Sequence, residues 1–401
     1  MRIAMLTSTL PRFAGDMQAN FVGEQAAAWS AARGDDRITI LAPHHPGSAL
    51  QEDIGDVAIQ RFRYFRPEGW QALAYPAILP NVRRNPALAL QVPPFILAQY
   101  RAARRLVRQQ NIDLVYAHWV MPQGLVAWQI RQATGVPYIL QNHSSDLAVF
   151  DKLGWAGRRL ARRIIRDANH FFCVNSLQRD AAASLFNGAE RDAFLFKCTV
   201  LPMGVVLPEA DPATTREFDI ATIGRLSAKK GIDFLIGAGE RLAARGNRPV
   251  IGIAGDGEEM GSLRALVRNA DIRFLGFVSA AQKDAFFDRT QRFAFPAKEA
   301  DGDVEGLPVS LLEALCRGMP VLASRDTNIE LLPEWPQLRD HVVFVADPSD
   351  PVEMDAAIER LLAMPAAGNA QLAQIMARYR WDRLIEDYLT PIEATLQEPP
   401  R

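Results

Sequence analysis

Short apolar runs rich in β-branched residues alternate with longer stretches of helical periodicity in the first half of the chain. Residues 1–8 predict a first strand, because this run is too short and too soon followed by polar residues to be a signal peptide. Further strands are predicted at 38–41, 114–117, 138–141 and 170–174, and helices around 24–32, 97–110, 124–134 and 155–168. Such alternation is typical of a parallel sheet with helices on both faces.

A second series of strands follows the turn-rich stretch 208–216, which has the composition of a linker. Its strands are predicted at 218–223, 249–254, 272–274, 292–295, 321–323 and 342–345. Each half is therefore predicted to be an open, doubly wound α/β sheet, which binds ligands outside the carboxyl ends of its strands. The predicted domains are 1–207 and 208–375, with the two sheet edges facing a cleft.

The length and composition agree with two soluble domains. A chain of 401 residues exceeds a single typical core. The hydrophobic fraction of 49% and the balance of 45 basic against 46 acidic side chains argue against a nucleic-acid partner. The apolar runs stay short of the roughly 20 residues that a membrane-spanning helix needs.

The three cysteines, Cys173, Cys198 and Cys316, are odd in number, far apart in sequence and without the paired spacing of metal ligands. We therefore expect neither a disulfide framework nor a zinc site, and we expect a reducing cytosol.

Glu305 and Glu313 enclose the start of a predicted helix. Pro308 suits the first helical position, because its fixed φ fits there and its missing N–H is not needed. The amides of 309–311 would then point outward without intrahelical partners and form an anion site suited to a diphosphate. The alternative is an ordinary amphipathic helix whose acidic first turn is favoured by the helix dipole alone.

Residues around this helix start are predicted to bind a phosphorylated sugar. Small or apolar side chains keep the approach free of charge and bulk, and main-chain amides face the ligand. The predicted group is Gly306, Leu307, Val309 and Ser310.

A basic stretch that begins at Gly224 follows the first strand of the second half. Arg225 and Lys230 would project from the carboxyl end of that strand, where a guanidinium fork and an ammonium group neutralise phosphate oxygens. Lys230 is preferred over Lys229. The alternative is a solvated basic turn.

Other loops at strand ends supply further donor-binding candidates. Gly255 would let the backbone approach a nucleotide, and Phe277 with Val278 would offer an edge to a nucleobase. Gly15, after the first strand, would bring the backbone near a phosphate or a sugar. For the glycines the alternative is a tight turn, and for Phe277 it is a place in the core.

Two histidines stand at the ends of consecutive predicted strands. His118 and Trp119 end one strand, and His143 begins a polar stretch that reaches Asp146 at the end of the next. Both histidines are therefore predicted to line one pocket, where a neutral imidazole can hydrogen-bond a sugar hydroxyl or transfer a proton. The alternative for an isolated histidine is a satisfied core or surface residue.

Paired aspartates, Asp301 and Asp303, precede the predicted anion site and are able in principle to hold Mg²⁺ or Mn²⁺. Because Arg225, Lys230 and the helix start already supply positive charge, we interpret the aspartates as an acidic loop and predict no metal site.

Together these motifs resemble the retaining glycosyltransferases of the GT-B fold in the large group called family four, over nearly the whole chain. The spacing of Glu305 and Glu313, the basic stretch 224–230 and the histidine stretch 143–146 carry the resemblance. It implies two Rossmann-like domains around a central cleft. Two positions depart from the family pattern: Ala14 precedes Gly15 in the first loop, and Ser144 follows the histidine.

The resemblance also implies roles for the catalytic group. Glu305 would contact hydroxyls of the donor sugar, Arg225 and Lys230 the diphosphate, and His143 the sugar and leaving group. Glu313 would contact the nucleotide ribose. On the acceptor side, the residues would be His118, Trp119 and Asp146.

The implied reaction moves a hexose from a UDP-sugar or GDP-sugar to a hydroxyl of a glycan or of a polyprenyl-diphosphate-linked acceptor, with retained configuration and without a cofactor or metal. Bacterial cell-surface or exopolysaccharide synthesis is the expected role. Residues 376–401 would cross back to the first domain, as in relatives. Alternatives are a sugar-nucleotide epimerase of the same fold and a dinucleotide-dependent oxidoreductase, although no Gly-x-Gly-x-x-Gly pattern follows a strand.

Two stretches, 82–97 and 158–166, mix basic and apolar residues. Such surfaces suit anionic lipid headgroups and a lipid-linked acceptor. We therefore expect a cytoplasmic protein that contacts the inner face of the cell membrane. The alternative is a solvated helix face.

Overall fold

The computed structural model describes residues 1–13, 15–16, 18, 20–143, 147–207, 215–300 and 305–397. The chain forms two compact units, Met1–Met203 together with Leu384–Arg401, and Gly204–Arg383. These borders lie a few residues from the predicted ones, because Val205 donates to the carbonyl of Tyr379 and accepts from the amide of Trp381. These bonds tie the segments on both sides of the second unit together. The predicted linker, 208–214, lies outside the described residues.

The first unit contains eight strands and eight helices within the described residues. The strands are β1 (Arg2–Leu6), β2 (Arg37–Pro43), β3 (Gln51–Ile54), β4 (Val57–Phe62), β5 (Leu114–His118), β6 (Tyr138–Asn142), β7 (His170–Cys173) and β8 (Cys198–Val200). The helices are α1 (Phe21–Ala32), α2 (Ile78–Arg84), α3 (Val92–Gln110), α4 (Leu125–Thr134), α5 (Ala148–Asp151), α6 (Gly154–Asp167), α7 (Ser176–Ala183) and α8 (Gly188–Phe196).

The second unit has all six predicted strands. They are β9 (Ile220–Ile223), β10 (Ile251–Ala254), β11 (Ile272–Gly276), β12 (Phe293–Phe295), β13 (Val321–Ser324) and β14 (Val342–Val345). The helices are α9 (Ile232–Ala244), α10 (Met260–Leu266), α11 (Ala280–Asp288), α12 (Val309–Cys316), α13 (Trp335–Leu338), α14 (Pro351–Ala363) and α15 (Ala370–Met376), and the chain ends with α16 (Trp381–Gln397).

The sheet of the first unit has the strand order β3-β4-β2-β1-β5-β6-β7-β8. Its strands pair in parallel except β3 with β4. The central strands β5 and β6 are buried throughout, as expected where helices cover both faces of a parallel sheet. The sequence pattern missed β3, β4 and β8, because β3 is polar and exposed and β8 has three residues.

The sheet of the second unit has the order β11-β10-β9-β12-β13-β14, and its neighbouring strands pair in parallel. From β9 the chain builds one edge through β10 and β11, and then returns to build the other from β12. Right-handed crossovers in opposite directions place helices on opposite faces. The predicted α/β class with two parallel-sheet domains is confirmed.

The far end of α16 packs within the first unit. The hydroxyl of Tyr388 donates to the carbonyls of Leu201 and Pro202, at 3.1 Å each. Arg33 forms ion pairs with Glu386 and Glu393 on exposed turns of the same helix. The buried tyrosine, rather than the exposed ion pairs, is the main anchor, because ion pairs on the surface contribute little.

Candidate functional site

The strand order of the second unit creates a switch point between β9 and β12, where connections leave in opposite directions. Ligands of open α/β sheets bind in the crevice at such a point, outside the carboxyl ends of the strands. The basic loop 224–231 follows β9, and the segment 305–308 follows β12 and leads into α12. The structure therefore brings two of the predicted motifs to one end of the sheet.

Lys230 and Glu305 form an ion pair at this end of the sheet, with Nζ 2.8 Å from Oε1. Nζ of Lys229 lies 3.5 Å from the same oxygen. The Lys230 ammonium also lies 4.8 Å from the centre of the Phe295 ring, on β12. Although burial opposes ionisation of Glu305, the two lysines hold its pKa below the ordinary value. The two side chains thus form a charged, largely buried pair beside an aromatic ring.

Arg225 lies at the mouth of the same loop, paired with Glu258 at 3.0 Å and partly exposed. Gly255 is explained by the contact of its loop with the loop of Gly224. A Cβ added to Gly255 would lie 1.8 Å from the carbonyl oxygen of Gly224. Gly255 is therefore needed for the close approach of two loops, whether or not a nucleotide lies beside it.

The start of α12 differs in detail from the prediction. Pro308 has ψ 123° and is the residue before the helix, so Val309 is the first helical residue. The expectation that three amides point outward is wrong for Leu311, whose N–H donates to the carbonyl of Pro308 at 3.1 Å in a tight first turn. The amides of Val309 and Ser310 have no acceptor within the helix, because they lie in its first turn. They remain candidates to bind an anion.

Glu313 lies inside α12 and is buried, and its carboxylate is paired with the ammonium of Lys283 on α11. Burial raises the pKa of Glu313 against the opposing effect of Lys283. A Ser279–Gln282 capping box starts α11 and so sets the position of Lys283. Sequence reasoning missed Lys283, because nothing local links it to a glutamate 30 residues later.

Asn328 is a second residue that sequence reasoning missed. It has a left-handed backbone conformation, with φ 58°, and its Nδ2 donates to the carbonyls of Glu305 and Gly306, at 2.9 Å each. Asparagine tolerates this conformation better than most residues. The only signal in the sequence is an asparagine shortly after a predicted strand, which is too common to single out.

An apolar rim accompanies these charges. Val278, Leu307 and Val309 are partly buried and pack against the same core cluster of the second unit. Phe277 is partly buried beside them in sequence, after the turn at Gly276, whose carbonyl accepts from the amide of Gly255 at 2.7 Å. Several of the predicted donor-binding residues of the second unit thus lie in neighbouring loops around one core cluster.

In the first unit, Nδ1 of His118 lies 3.0 Å from Nε2 of His143. The rings of Phe21 and Trp119 flank His143 with centroid distances of 4.8 and 4.7 Å. Burial lowers the pKa of His118 to about 3 and holds the pKa of His143 below its ordinary value, so both rings are neutral at pH 7. The structure confirms that the two strand ends bring these histidines together. Asp146 and Ser144 lie outside the described residues.

Gly15 has φ 78° and nothing within 4 Å of an added Cβ, so its surroundings supply only a turn. Its neighbour Asp16 is buried and holds Arg12 through two hydrogen bonds, at 2.8 and 2.6 Å. The Arg12 guanidinium lies 5.5 Å from the Tyr75 ring centre and 3.4 Å from Nε2 of His45. Sequence reasoning missed this cluster, because its members come from separate loops.

Within the described residues no cluster of three or more metal-ligating side chains is found. Asp301 and Asp303 lie outside that part of the chain. The same residues include no helix long and apolar enough to cross a membrane.

Solved structures show the class of fold. Sucrose-phosphate synthase from Thermosynechococcus elongatus superposes with a TM-score of 0.65 at 17% identity, covering 98% of this chain and 96% of that chain. The catalytic domain of starch synthase IV from Arabidopsis thaliana, bound to ADP and acarbose, gives 0.66 at 12% identity and covers 99% of both. The fold is that of the GT-B glycosyltransferases, which confirms the prediction.

Two family models match the sequence. "Glycosyltransferase Family 4" matches residues 19–205, and "Glycosyl transferases group 1" matches residues 217–364. The chain belongs to this family of glycosyltransferases, as the motifs predicted.

The names of several related proteins place them in glycolipid or polysaccharide synthesis. A GDP-mannose-dependent alpha-(1-6)-phosphatidylinositol monomannoside mannosyltransferase of Mycobacterium tuberculosis is 25% identical over 96% of each chain. A GDP-mannose-dependent monoacylated alpha-(1-6)-phosphatidylinositol monomannoside mannosyltransferase of Corynebacterium glutamicum is 27% identical over 75% of this chain and 80% of its own. An amylovoran biosynthesis glycosyltransferase of Erwinia amylovora is 30% identical over 35% of each.

Proposed function

We propose that this glycosyltransferase moves a hexose from a nucleoside diphosphate sugar to a hydroxyl of a glycan or lipid-linked glycan, with retained configuration. The observation that carries the donor assignment is the buried Lys230–Glu305 pair at the switch point of the second sheet. A buried ion pair seldom adds stability over an apolar replacement. Its position beside a helix start therefore supports a role in binding a charged ligand.

The positively charged groups at this end of the sheet would bind the donor diphosphate. Lys230 and Arg225 supply charge, and the amides of Val309 and Ser310 supply donors with the helix dipole behind them. Glu305, released from part of its contact with Lys230, would then accept hydrogen bonds from sugar hydroxyls. This set neutralises a diphosphate without a metal ion, so we infer metal-independent transfer.

Glu313 would bind the ribose, and the apolar rim of Val278, Leu307 and Val309 would face the nucleobase end of the donor. Glu313 keeps one carboxylate oxygen for a hydroxyl while Lys283 binds the other. A buried carboxylate that is fixed in this way can accept a directed hydrogen bond, because its partner also stops it from turning away.

The retaining route that we propose has no covalent intermediate. Both glutamates of the donor site are already paired with lysines, Glu305 with Lys230 and Glu313 with Lys283. Neither pairing suits a free nucleophile of the kind that retaining glycosidases use. We infer that the leaving phosphate accepts the proton of the acceptor hydroxyl on the same face of the sugar, and that Lys230 and Arg225 stabilise the charge on this phosphate.

The acceptor side would include His118 and Trp119 at a strand end of the first unit, beside His143, which would contact the transferred sugar and the leaving group. GDP-mannose is the donor in the names of two relatives, and their acceptors are phosphatidylinositol mannosides. GDP-mannose and a lipid-linked acceptor are therefore the first substrates to test, followed by UDP-hexoses and polyprenyl-diphosphate-linked glycans. The polysaccharide relative supports a glycan acceptor as the next choice.

A basic and apolar surface of the first unit suits a lipid acceptor. We call it the α6 surface and define it by Leu153, Trp155, Arg158, Arg159 and Arg163. Trp155 is 79% exposed and Leu153 is 56% exposed, and the three arginines are exposed beside them. An exposed tryptophan next to arginines is typical of contact with an anionic membrane surface.

The surrounding sequence also has an excess of basic over acidic residues. Residues 83–166 contain 13 Arg and Lys but only 3 Asp and no Glu, whereas the whole chain is balanced. Leu90, just before α3, is 77% exposed, and Leu97, on α3, is 46% exposed. We propose peripheral contact with the inner face of the cell membrane, in the cytoplasm.

A panel of nucleotide sugars tests the function directly. The donor should raise the melting temperature of the protein, because a ligand that binds only the native state stabilises it by about 2.7 kcal/mol at a hundred times its Kd. Chromatography with mass-balanced product analysis should then show the hexose on an acceptor. An isomerised donor in the absence of acceptor would instead indicate an epimerase, and no thermal shift with any nucleotide sugar would refute the proposal.

A further inference from the structure

His118 and His143 form a hydrogen-bonded pair of neutral imidazoles. Their ring planes are 13° apart with centroids separated by 5.2 Å, while Nδ1 of His118 and Nε2 of His143 are 3.0 Å apart. The ring of Tyr116 lies against His118, at 4.7 Å and 24°. His118 is fully buried and His143 is partly exposed. Of the two, only His143 is therefore placed to meet a ligand directly.

An N–H···N bond between two neutral imidazoles has two arrangements. In the first, Nδ1–H of His118 donates and His143 carries its own proton on Nδ1. In the second, Nε2–H of His143 donates and its Nδ1 is a bare lone pair. The partner of one ring nitrogen decides which tautomer the ring adopts. The choice decides whether His143 offers a proton or a lone pair to whatever binds beside it.

The other nitrogen of His118 separates the two arrangements. Nε2 of His118 is buried without a hydrogen-bond partner in the part of the chain that the structure describes. The first arrangement leaves a lone pair there, and the second leaves an N–H. Orphaned N–H groups in protein interiors are rarer than under-used acceptors. The surroundings of His118 thus favour the first arrangement.

Gln141 supports the same choice. It is the register partner of His118 on the neighbouring strand. Its Oε1 accepts from the Tyr116 hydroxyl at 3.0 Å, and this hydroxyl in turn accepts from Gln25 at 3.2 Å. The remaining polar group of the Gln141 side chain is an NH₂, which can only donate. The NH₂ of Gln141 has no hydrogen-bond partner among the described residues, and it offers no acceptor to an N–H at Nε2 of His118.

We propose that His118 is a positioning residue that keeps the proton of His143 on Nδ1, so that His143 donates a hydrogen bond to an oxygen of the transferred sugar or leaving phosphate and does not act as a base. The consequence for catalysis rests on the proposed glycosyl transfer. The tautomer itself is a property of the free protein. The assignment agrees with a route in which the leaving phosphate, rather than a histidine, accepts the proton of the acceptor.

Two-bond ¹H–¹⁵N correlation spectra of the protein with ¹⁵N-labelled histidine test this inference. The chain has six histidines, so the spectrum is sparse, and a His143→Gln variant assigns the signal of His143. We expect a protonated Nδ1 and an unprotonated Nε2 for His143 at pH 7. A proton on Nε2 of His143 in the wild-type protein would refute the proposal, whatever the variants show.

Two substitutions at the buried position separate positioning from packing. His118→Asn retains an N–H donor near the place of Nδ1, whereas His118→Leu retains bulk and loses the donor. We expect His118→Leu to lower kcat by roughly tenfold to a hundredfold, as for other partners that orient a histidine, with little change in the donor KM. His118→Asn should restore most of kcat and the Nδ1 proton of His143.

The outcomes distinguish this inference from the proposed function. A protein that transfers hexose but carries the His143 proton on Nε2 would refute the positioning role alone. A protein with the expected tautomer that transfers no sugar would refute the proposed function alone. Equal kcat for His118→Asn and His118→Leu would show that His118 acts only through packing.

Discussion

The side-chain amide of Asn328 donates to the main-chain carbonyl of Glu305 at 2.9 Å, and to that of Gly306 at the same distance. This residue, from a turn after β13, therefore sets the position of the segment that carries Glu305, the glutamate that we propose binds the sugar. It does so from a left-handed backbone conformation that most residues avoid.

Asn328→Asp should weaken donor binding, because it retains the shape of the residue but turns a carboxylate toward two carbonyl oxygens. Loss of a buried hydrogen-bond partner costs about 1–3 kcal/mol, so we expect a donor KM about tenfold higher with a smaller change in kcat. Asn111→Asp is a matched control, since Asn111 also has a positive φ, of 48°, but ends α3 in the first unit. An unchanged donor KM in Asn328→Asp would contradict the positioning role.

Lys230→Ala should lose most transfer activity while the protein stays folded. Removal of one group that stabilises transition-state charge typically costs about 10²–10³ in kcat. Lys229→Ala is the matched control and should lose less, because Lys229 lies 3.5 Å from Glu305 rather than 2.8 Å. Initial rates with saturating donor measure both. Turnover near that of the wild type in Lys230→Ala would refute the donor-site assignment.

The double variant Lys230→Ala/Glu305→Gln separates stability from activity. A buried glutamate that loses its main partner is destabilising, and the amide removes that charge. We expect the double variant to melt at a higher temperature than Lys230→Ala and to stay inactive. Recovery of activity together with stability would show that Lys230 matters only for folding.

The two glutamates should respond to pH in opposite directions. The pKa of Glu305 lies below its ordinary 4.5, so its stabilising contribution is full above pH 4.5 and is lost as pH falls through the lower folded value. The pKa of Glu313 is raised above 4.5, so its contribution is full below pH 4.5 and is lost as pH rises through the folded value.

Urea unfolding of Glu305→Gln and Glu313→Gln between pH 3 and 7 measures this difference. The stability deficit of Glu305→Gln relative to the wild type should shrink on acidification below pH 4.5. The stability of Glu313→Gln relative to that of the wild type should instead increase as pH rises above 4.5. The same sign of pH dependence for both variants would contradict the opposed environments of these carboxylates.

The sequence predicted the parallel sheets, because buried strands read as continuous apolar runs such as that of β5. It also predicted the helix α12, whose apolar face, with Leu312 and Leu315, is buried. These features depend on local periodicity and on turn chemistry. The order of the motifs along the chain also predicted the group 1 glycosyltransferase family, because each motif is a local feature of the sequence.

Partners from distant elements were beyond the sequence pattern. Lys283 reaches Glu313 from another helix. Cys173 and Cys198 are far apart in sequence, yet neighbouring strands place their Sγ atoms 3.8 Å apart, as free thiols. The bond from the Leu311 amide to Pro308 depends on how tightly one turn winds, which residue types alone do not determine.

Membrane contact through the α6 surface should depend on charge and on Trp155. Arg159→Glu/Arg163→Glu changes two exposed arginines four positions apart on α6 and should abolish flotation with liposomes that contain anionic lipid, since each basic residue contributes about 1 kcal/mol. Trp155→Ala should weaken flotation less. Arg264→Glu/Arg268→Glu in the second unit is charge-matched, because both residues are exposed there, and it should float like the wild type. Equal flotation of both double variants would refute this surface.

Retention without a covalent intermediate makes two linked predictions about the reaction itself. An α-configured nucleoside diphosphate hexose should give an α-linked product, which ¹H NMR of the anomeric signal shows directly.

Intact-mass spectra of protein quenched during turnover should show no hexose adduct, because Glu305 and Glu313 are both engaged by lysines. Glu305→Gln should lower kcat and leave the anomeric configuration of the residual product unchanged, since Glu305 binds the sugar in this route and never becomes bonded to it. A β-linked product would exclude retention. A hexose adduct that Glu305→Gln removes would replace the proposed route with a double displacement through that carboxylate.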